Sequence, residues 1–285
     1  MANTTTDETW TLIIESKRKL LDLQLRDVIR YRDLIYLFVK RDFVLQYKQT
    51  ILGPLWLIIQ PLFSTIMYTF VFGNLANIGT NGIPYLLFYY SGTMLWTFFS
   101  GCFTDVSNVF INNANIFGKV YFPRLTVPIS NVFSNVTKIV VQFAMLMIFY
   151  SYYVFSGAPI QGSLWILAFP FIFAWLAALG MGMGIIISSL TTKYRDLKQL
   201  VTFALGLAMY ATPVVYPLSE IPKRFSWVNF VNPVSAPIEL FRIWFFGAGT
   251  VPPAMILTSL GITVVMLILG LVLFNQNEQN FIDVV

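Results

Sequence analysis

The sequence predicts an all-α, polytopic integral membrane protein that threads the bilayer six times, with its N-terminus on the cytoplasmic side. Three observations predict it. Hydrophobic residues make up 57% of the 285-residue chain and charged residues only 11%, where soluble domains carry roughly a quarter; the mean hydropathy is +0.71. From Gln49 to Thr104 there is no charged residue at all. Nine of the 18 basic residues lie before Ile51, and a basic cluster ahead of a first span marks the cytoplasmic face.

The elements follow in chain order. Residues 1–50 form a cytoplasmic N-terminal segment. Within it Leu12 to Arg26 and Leu34 to Lys48 mix aliphatic and charged residues as interfacial amphipathic helices do. In the second, Leu34, Leu37, Phe38 and Leu45 share a face, but Arg41 intrudes on it. Residues 51–285 form the six-span domain. The charge-free run holds two helices, with the Gly- and Asn-rich stretch from Gly73 to Pro84 as the turn between them. Val127 to Thr192 is interrupted by one charge, Lys138, and its centre contains Gly157, Pro159 and Gly162, so it reads as a second hairpin. A fifth span begins near Leu200 and meets Pro213 and Pro217; a sixth occupies roughly Met255 to Phe274. An even count puts both termini on one side.

Short loops set the orientation. The turns at Gly73 to Pro84 and Ser156 to Ser163 contain no Lys or Arg, whereas the N-terminal segment, Lys119/Arg124 and Lys193/Arg195/Lys198 are basic. Lys223, Arg224 and Arg242 depart from the rule, because they fall between the fifth and sixth spans on the side the count places outside. That connection keeps membrane-like residues (Phe225, Trp227, Phe230, Phe241, Trp244) but is broken by Pro217, Pro222, Pro233 and Pro237. No single helix fits it. Irregular backbone at membrane depth must be satisfied by protein or by a wet cavity, which points to two short re-entrant helices; a loop packed on the outer leaflet is the alternative.

Several function classes lose support from what is missing. Histidine is absent, there is no G-x-x-x-x-G-K-[ST] phosphate loop, and the single cysteine, Cys102, has no intrachain partner for a disulfide. No catalytic or metal-ligating set is expected. The first thirty residues carry Asp7, Glu8 and Glu15 before any long apolar run, unlike a cleavable signal peptide. The +5 formal charge does not persist as a basic face beyond the N-terminal segment, so no nucleic-acid partner is expected. Asp105 and Glu239 are the acids nearest membrane depth, and neither has a partner visible in the sequence.

Polar stripes on apolar helices remain. On the first span Gly53, Gln60, Ser64 and Tyr68 recur at helical spacing, and on the third Asn131, Asn135, Lys138 and Gln142 follow i, i+4, i+7, i+11. Such faces avoid lipid, either by interhelical hydrogen bonding or by lining a hydrated conduit. Lys138 favours water, where an ammonium is easiest to accommodate. Gly180, Gly184 and Ser188 form a small-residue ridge on the fourth span, suited to close helix packing. Aromatics are 17% of the chain; interfacial belts account for most, and a minority could stack on sugar rings.

Five stretches, in order, resemble the membrane subunit of type-2 ABC transporters that export lipid-linked polysaccharide, the O-antigen, teichoic acid and capsule exporters. They are Gln46-Tyr47-Lys48-Gln49-Thr50-Ile51-Leu52-Gly53-Pro54-Leu55-Trp56 with Gln60-Pro61-Leu62, Lys119-Val120-Tyr121-Phe122-Pro123-Arg124, Lys193-Tyr194-Arg195-Asp196, Pro213-Val214-Val215-Tyr216-Pro217-Leu218, and Asn232-Pro233 with Glu239-Leu240-Phe241-Arg242. The resemblance implies a homodimer in the bacterial inner membrane with both termini cytoplasmic, and two copies of a separate ABC ATPase. ATP and Mg would bind that partner, with no cofactor on this chain.

It further implies a coupling helix over Asn112 to Phe122, with Asn115, Ile116, Phe117, Lys119, Val120, Tyr121 and Phe122 meeting the ATPase. Gly118 departs from the pattern, which has a longer polar side chain there. The proline-broken segment becomes a pair of periplasmic gate helices, with Tyr216, Trp227, Asn232, Glu239 and Arg242 as gate residues. Gln60, Ser64, Tyr68, Asn131, Asn135, Lys138 and Gln142 would line the conduit at the dimer interface. Related exporters of drugs or lipids, and an intramembrane lipid-glycan transferase using Asp105 or Glu239, are the competing functions.

Overall fold

A computed structural model describes residues 25–281 apart from Gln49, Gly118, Tyr121, Gln161 and residues 192–195. Most of the expected amphipathic helix from Leu12 to Arg26, Tyr121 and Gly118 of the expected coupling segment, and Lys193, Tyr194 and Arg195 lie outside the described residues. Among those described, the chain is helical with no strand. Two helices precede the bundle, α1 (Leu25–Arg30) and α2 (Arg32–Tyr47). Then come α3 (Trp56–Tyr68), α4 (Tyr85–Ser107), α5 (Val109–Phe117), α6 (Thr126–Phe155), α7 (Phe169–Thr191), α8 (Leu197–Tyr210), α9 (Trp227–Val231), α10 (Ser235–Phe246) and α11 (Pro253–Phe281).

Four helical stretches are long and apolar enough to cross a bilayer: Gly53–Leu75, Thr126–Phe155, Leu164–Thr191 and Pro253–Gln276. They coincide with the expected first, third, fourth and sixth spans. The first is longer than α3 because the helix continues as a wider π-helix over Thr69–Leu75; Asn77, Asn81 and Gly82 then adopt positive φ and turn the chain. At the second expected position α4 has 23 residues, about 34 Å at 1.5 Å per residue, but its composition is more polar and aromatic. At the fifth, α8 has only 14 residues, about 21 Å against a hydrocarbon core of about 30 Å.

The buried centre explains the composition of α4. It packs against α3, α6, α7 and α10, and Leu87 through Leu95 are almost wholly covered. Protein covers this helix more completely than it covers α3, α8 or α11, whose outward faces are exposed. Its polar side chains bond back to its own turns, as Thr93 Oγ1 does to Tyr89 O at 2.8 Å. Glycines on two faces of α7 let backbones approach. A Cβ on Gly180 would sit 2.9 Å from Cys102 Cβ, and one on Gly184 2.8 Å from Phe103 O, both on α4; on the opposite face, one on Gly182 would sit 2.7 Å from the Leu267 nitrogen of α11. The small-residue ridge is thus a packing surface.

A second apolar cluster closes one end of the bundle. Phe38 of α2, Val106 of α4, Val109, Phe110 and Phe117 of α5, then Phe122, Leu125, Ile185 and Phe274, are all buried there. Outward faces carry Phe63 and Ile66 on α3, Phe70 on its π-helical continuation, Phe203 and Leu207 on α8, and Val264 and Ile268 on α11, all exposed. With lipid as solvent, such faces need no covering core.

Candidate functional site

The two polar stripes meet. Gln60, Ser64 and Tyr68 of α3 face Asn135, Lys138 and Gln142 of α6 across a cavity of about 450 Å³, completed by Thr97, Ser100 and Asp105 of α4, Met209 of α8, and the rings of Trp56 and Trp96. Six of the seven residues expected to line a conduit are there. The seventh, Asn131, lines an adjoining cavity of about 460 Å³ with Arg41 and Asp42 of α2, Asn112 and Asn113 of α5, and Ser134 of α6. Gln46, Asp105 and Lys138 line both.

Asp105, without a visible partner in the sequence, is held by three α6 residues one or two turns apart. Asn135 Nδ2 donates to Asp105 Oδ2 at 2.7 Å, and Asn131 Nδ2 donates to the Asp105 backbone carbonyl at 2.9 Å. Lys138 Nζ donates to Asn135 Oδ1 at 3.3 Å and lies 3.8 Å from Asp105 Oδ2. Asp105 and Lys138 side chains are 43% and 27% exposed, so water screens a contact that would be far stronger in a dry core. Gly101 makes room: a Cβ there would stand 2.6 Å from Asn135 Oδ1. A signal was present, since Asp105 ends the charge-free run and Lys138 is the only charge in the next one. Gln142 is buried and lines the first cavity. The chemistry offered is neutral hydrogen bonding and aromatic surface, with two internally balanced ion pairs, Asp105–Lys138 and, in the second cavity, Arg41–Asp42.

The expected gate residues occupy the break between α8 and α10. Tyr216 Oη donates to Tyr210 O at 2.9 Å. Asn232 Nδ2 donates to Thr212 Oγ1 at 2.7 Å and Ala211 O at 3.3 Å, while its Oδ1 accepts from Val234 N. Trp227 is 61% exposed. Glu239 and Arg242 are each 1% exposed and paired at 3.2 Å. Arg242 is therefore a buried, neutralised charge rather than a loop charge, which removes it from the count of exceptions to the charge rule. Its guanidinium also donates to Pro213 O at 2.6 Å, Val214 O at 2.8 Å and Phe88 O at 3.4 Å, and lies 3.6 Å from the Phe88 ring centroid. Gly92 admits it: a Cβ there would meet both Val214 O and Arg242 Nη2 within 2.7 Å. Glu239, given no partner from the sequence, has one at i+3 on its own helix face, a spacing that could have revealed the pair.

The expected coupling residues divide by exposure. Asn115, Lys119 and Val120 are exposed and Ile116 is half-buried. Phe117 and Phe122 are buried and face each other with ring centroids 5.9 Å apart, Phe122 also meeting Phe38 of α2 at 5.9 Å. These two rings anchor the segment to the bundle; the exposed side chains are what a partner could touch. Among the described residues, no group of three or more His, Cys, Asp or Glu could hold a metal ion.

A family model described as ABC-2 type transporter matches residues 33–246. An O-antigen export system permease protein of Klebsiella pneumoniae is 30% identical over 254 residues, covering 88% of this chain and 95% of the relative. Its counterpart in Myxococcus xanthus is 23% identical over 261 residues, 90% of this chain and 97% of the relative. A capsule polysaccharide export inner-membrane protein of Neisseria meningitidis is 21% identical over 233 residues, 78% and 83%.

Proposed function

The chain belongs to the ABC-2 type transporter family, and from that premise we propose that it is the membrane subunit of an ATP-driven exporter of lipid-linked polysaccharide in a bacterial inner membrane. Relatives matched along nearly their whole length bear names of O-antigen and capsule export. One observation in the chain itself carries the reading: stripes from α3 and α6, each unremarkable alone, converge on an amide-rich and aromatic-lined space inside an apolar bundle. A polymer moves through many weak contacts rather than one tight pocket. Neutral amides and hydroxyls suit sugar hydroxyls, and the rings of Trp56, Tyr68 and Trp96 suit sugar CH faces. A transferase would need a free acid at the substrate, whereas Asp105 and Glu239 are each engaged by a cation.

In this reading α4 and α8 complete six spans, both termini face the cytoplasm, and a second copy of the chain closes the conduit. Two ABC ATPase subunits, carrying ATP and Mg, press on Asn115, Ile116, Lys119 and Val120. The segment from Tyr216 to Arg242 borders the periplasmic exit, its shape held by Asn232 and Arg242. Co-purification with an ATPase, followed by hydrolysis assays, tests this. A lipid-linked glycan should stimulate ATP hydrolysis where drugs and plain phospholipid do not; stimulation by drugs or phospholipid alone would reassign the cargo.

A further inference from the structure

We propose that Asp105, Asn135 and Lys138 form an internal gate dividing the transport path, released when α5 is displaced; the inference rests on the export reading above. The two cavities are neighbours, and they share Asp105, Lys138 and Gln46. The cluster therefore stands between a space bordered by α2 and α5 and a space within the bundle. A cargo passing directly from one cavity to the other would pass Asp105 and Lys138. Asp105 lies on the last turn of α4, four positions before α5 begins. Any push on the exposed Asn115 and half-buried Ile116 reaches it along α5 and across the turn at Asn108. On the other side Asn131, Asn135 and Lys138 all project from α6, so a shift of the α4 end relative to α6 breaks their three contacts to Asp105 together.

The energetics suit a latch. Both charged side chains are partly wet, and such pairs contribute little net stability, so the contact opens and recloses readily. The Glu239–Arg242 pair is the contrast: at 1% exposure it cannot part without stranding a buried charge. One ion pair is a rivet and the other a switch. Close packing of Asn135 on Gly101 sets the closed position.

Single-cysteine accessibility tests the gate. In a Cys102→Ala background, Ser64→Cys reports on the inner cavity and Asn112→Cys on the outer one, each reacted with a membrane-impermeant maleimide in sealed vesicles from the side that labels position 112. Labelling at 64 should be slow in the parent. Asp105→Asn and Lys138→Gln should each accelerate it about tenfold, the equivalent of losing one charge-assisted hydrogen bond, and the exchange Asp105→Lys with Lys138→Asp should slow it again. Gly101→Ala displaces Asn135 without touching either charge and should also accelerate it, which keeps the test alive if a charge variant fails to insert. Labelling at 112 reports insertion throughout. Unchanged labelling at 64 in every inserted variant, or a parent rate already equal to that at 112, overturns the gate. The assay contains no cargo; a gate that opens in cells that never display polysaccharide would instead refute the export reading.

Discussion

Replacing Arg242 by methionine should be among the most damaging single changes in the protein, and the structure sets its size. The guanidinium is 1% exposed and holds Glu239 Oε2 together with the carbonyls of Pro213, Val214 and Phe88. Removing one partner of a buried pair costs about 3–5 kcal/mol, because the other charge is left uncompensated. Glu239→Gln should cost less, about 1–3 kcal/mol, since the guanidinium keeps three carbonyl acceptors and the face of Phe88. The double variant should fall short of the sum, because neither stranded charge remains. Unfolding in mixed micelles of rising dodecyl sulfate fraction, followed by circular dichroism, measures all three. A Glu239→Gln cost equal to or above that of Arg242→Met, or strict additivity, would refute the claim that Arg242 rivets the break after α8.

Phe122→Ala should lower the yield of folded protein, since deleting a buried ring costs about 3–5 kcal/mol. Val120→Ala, at a position 59% exposed, should leave the yield near the parent's while reducing ATPase-coupled export; normal export would remove Val120 from the coupling surface. Gly182→Ala should destabilise by about 1–3 kcal/mol, because its Cβ would press on the α11 backbone at 2.7 Å. Gly206→Ala on α8 meets nothing within 4 Å and should be neutral or stabilising by up to about 1 kcal/mol. Thermal shifts in one detergent at one scan rate compare the two.

How much of this could be read beforehand depended on the range of the interaction. The periodicity of Asn131, Asn135, Lys138 and Gln142 is local, and it picked out the polar face of α6 while leaving hydrogen bonding and a conduit as its alternative uses. The opposing wall on α3 was legible for the same reason. That the walls meet was not, because nothing in a period of 3.6 residues says which helix lies opposite. Asp105 shows the limit: three of its partners are 26 to 33 positions away, so its role emerged only once α4 lay beside α6. The fifth span was legible only in part. Charge scarcity suggested a helix, yet α8 stops at Tyr210 because Pro213 and Pro217 follow, and the freed carbonyls are taken by Asn232 and Arg242 from beyond the break. Exposure at the coupling segment was also hidden, as Phe117, Phe122 and Val120 look alike in composition and differ only in what they pack against.

Translocation itself is the most direct test of the account. The chain, reconstituted with its ATPase in sealed vesicles with a radiolabelled lipid-linked polysaccharide on the ATPase side, should move label to the opposite side on addition of ATP and Mg, where an impermeant glycosidase releases it. Lys138→Gln and Asp105→Asn should alter that rate while the vesicles stay sealed. Label that remains on the ATPase side of vesicles containing folded, ATP-hydrolysing complex would contradict polysaccharide export by this chain.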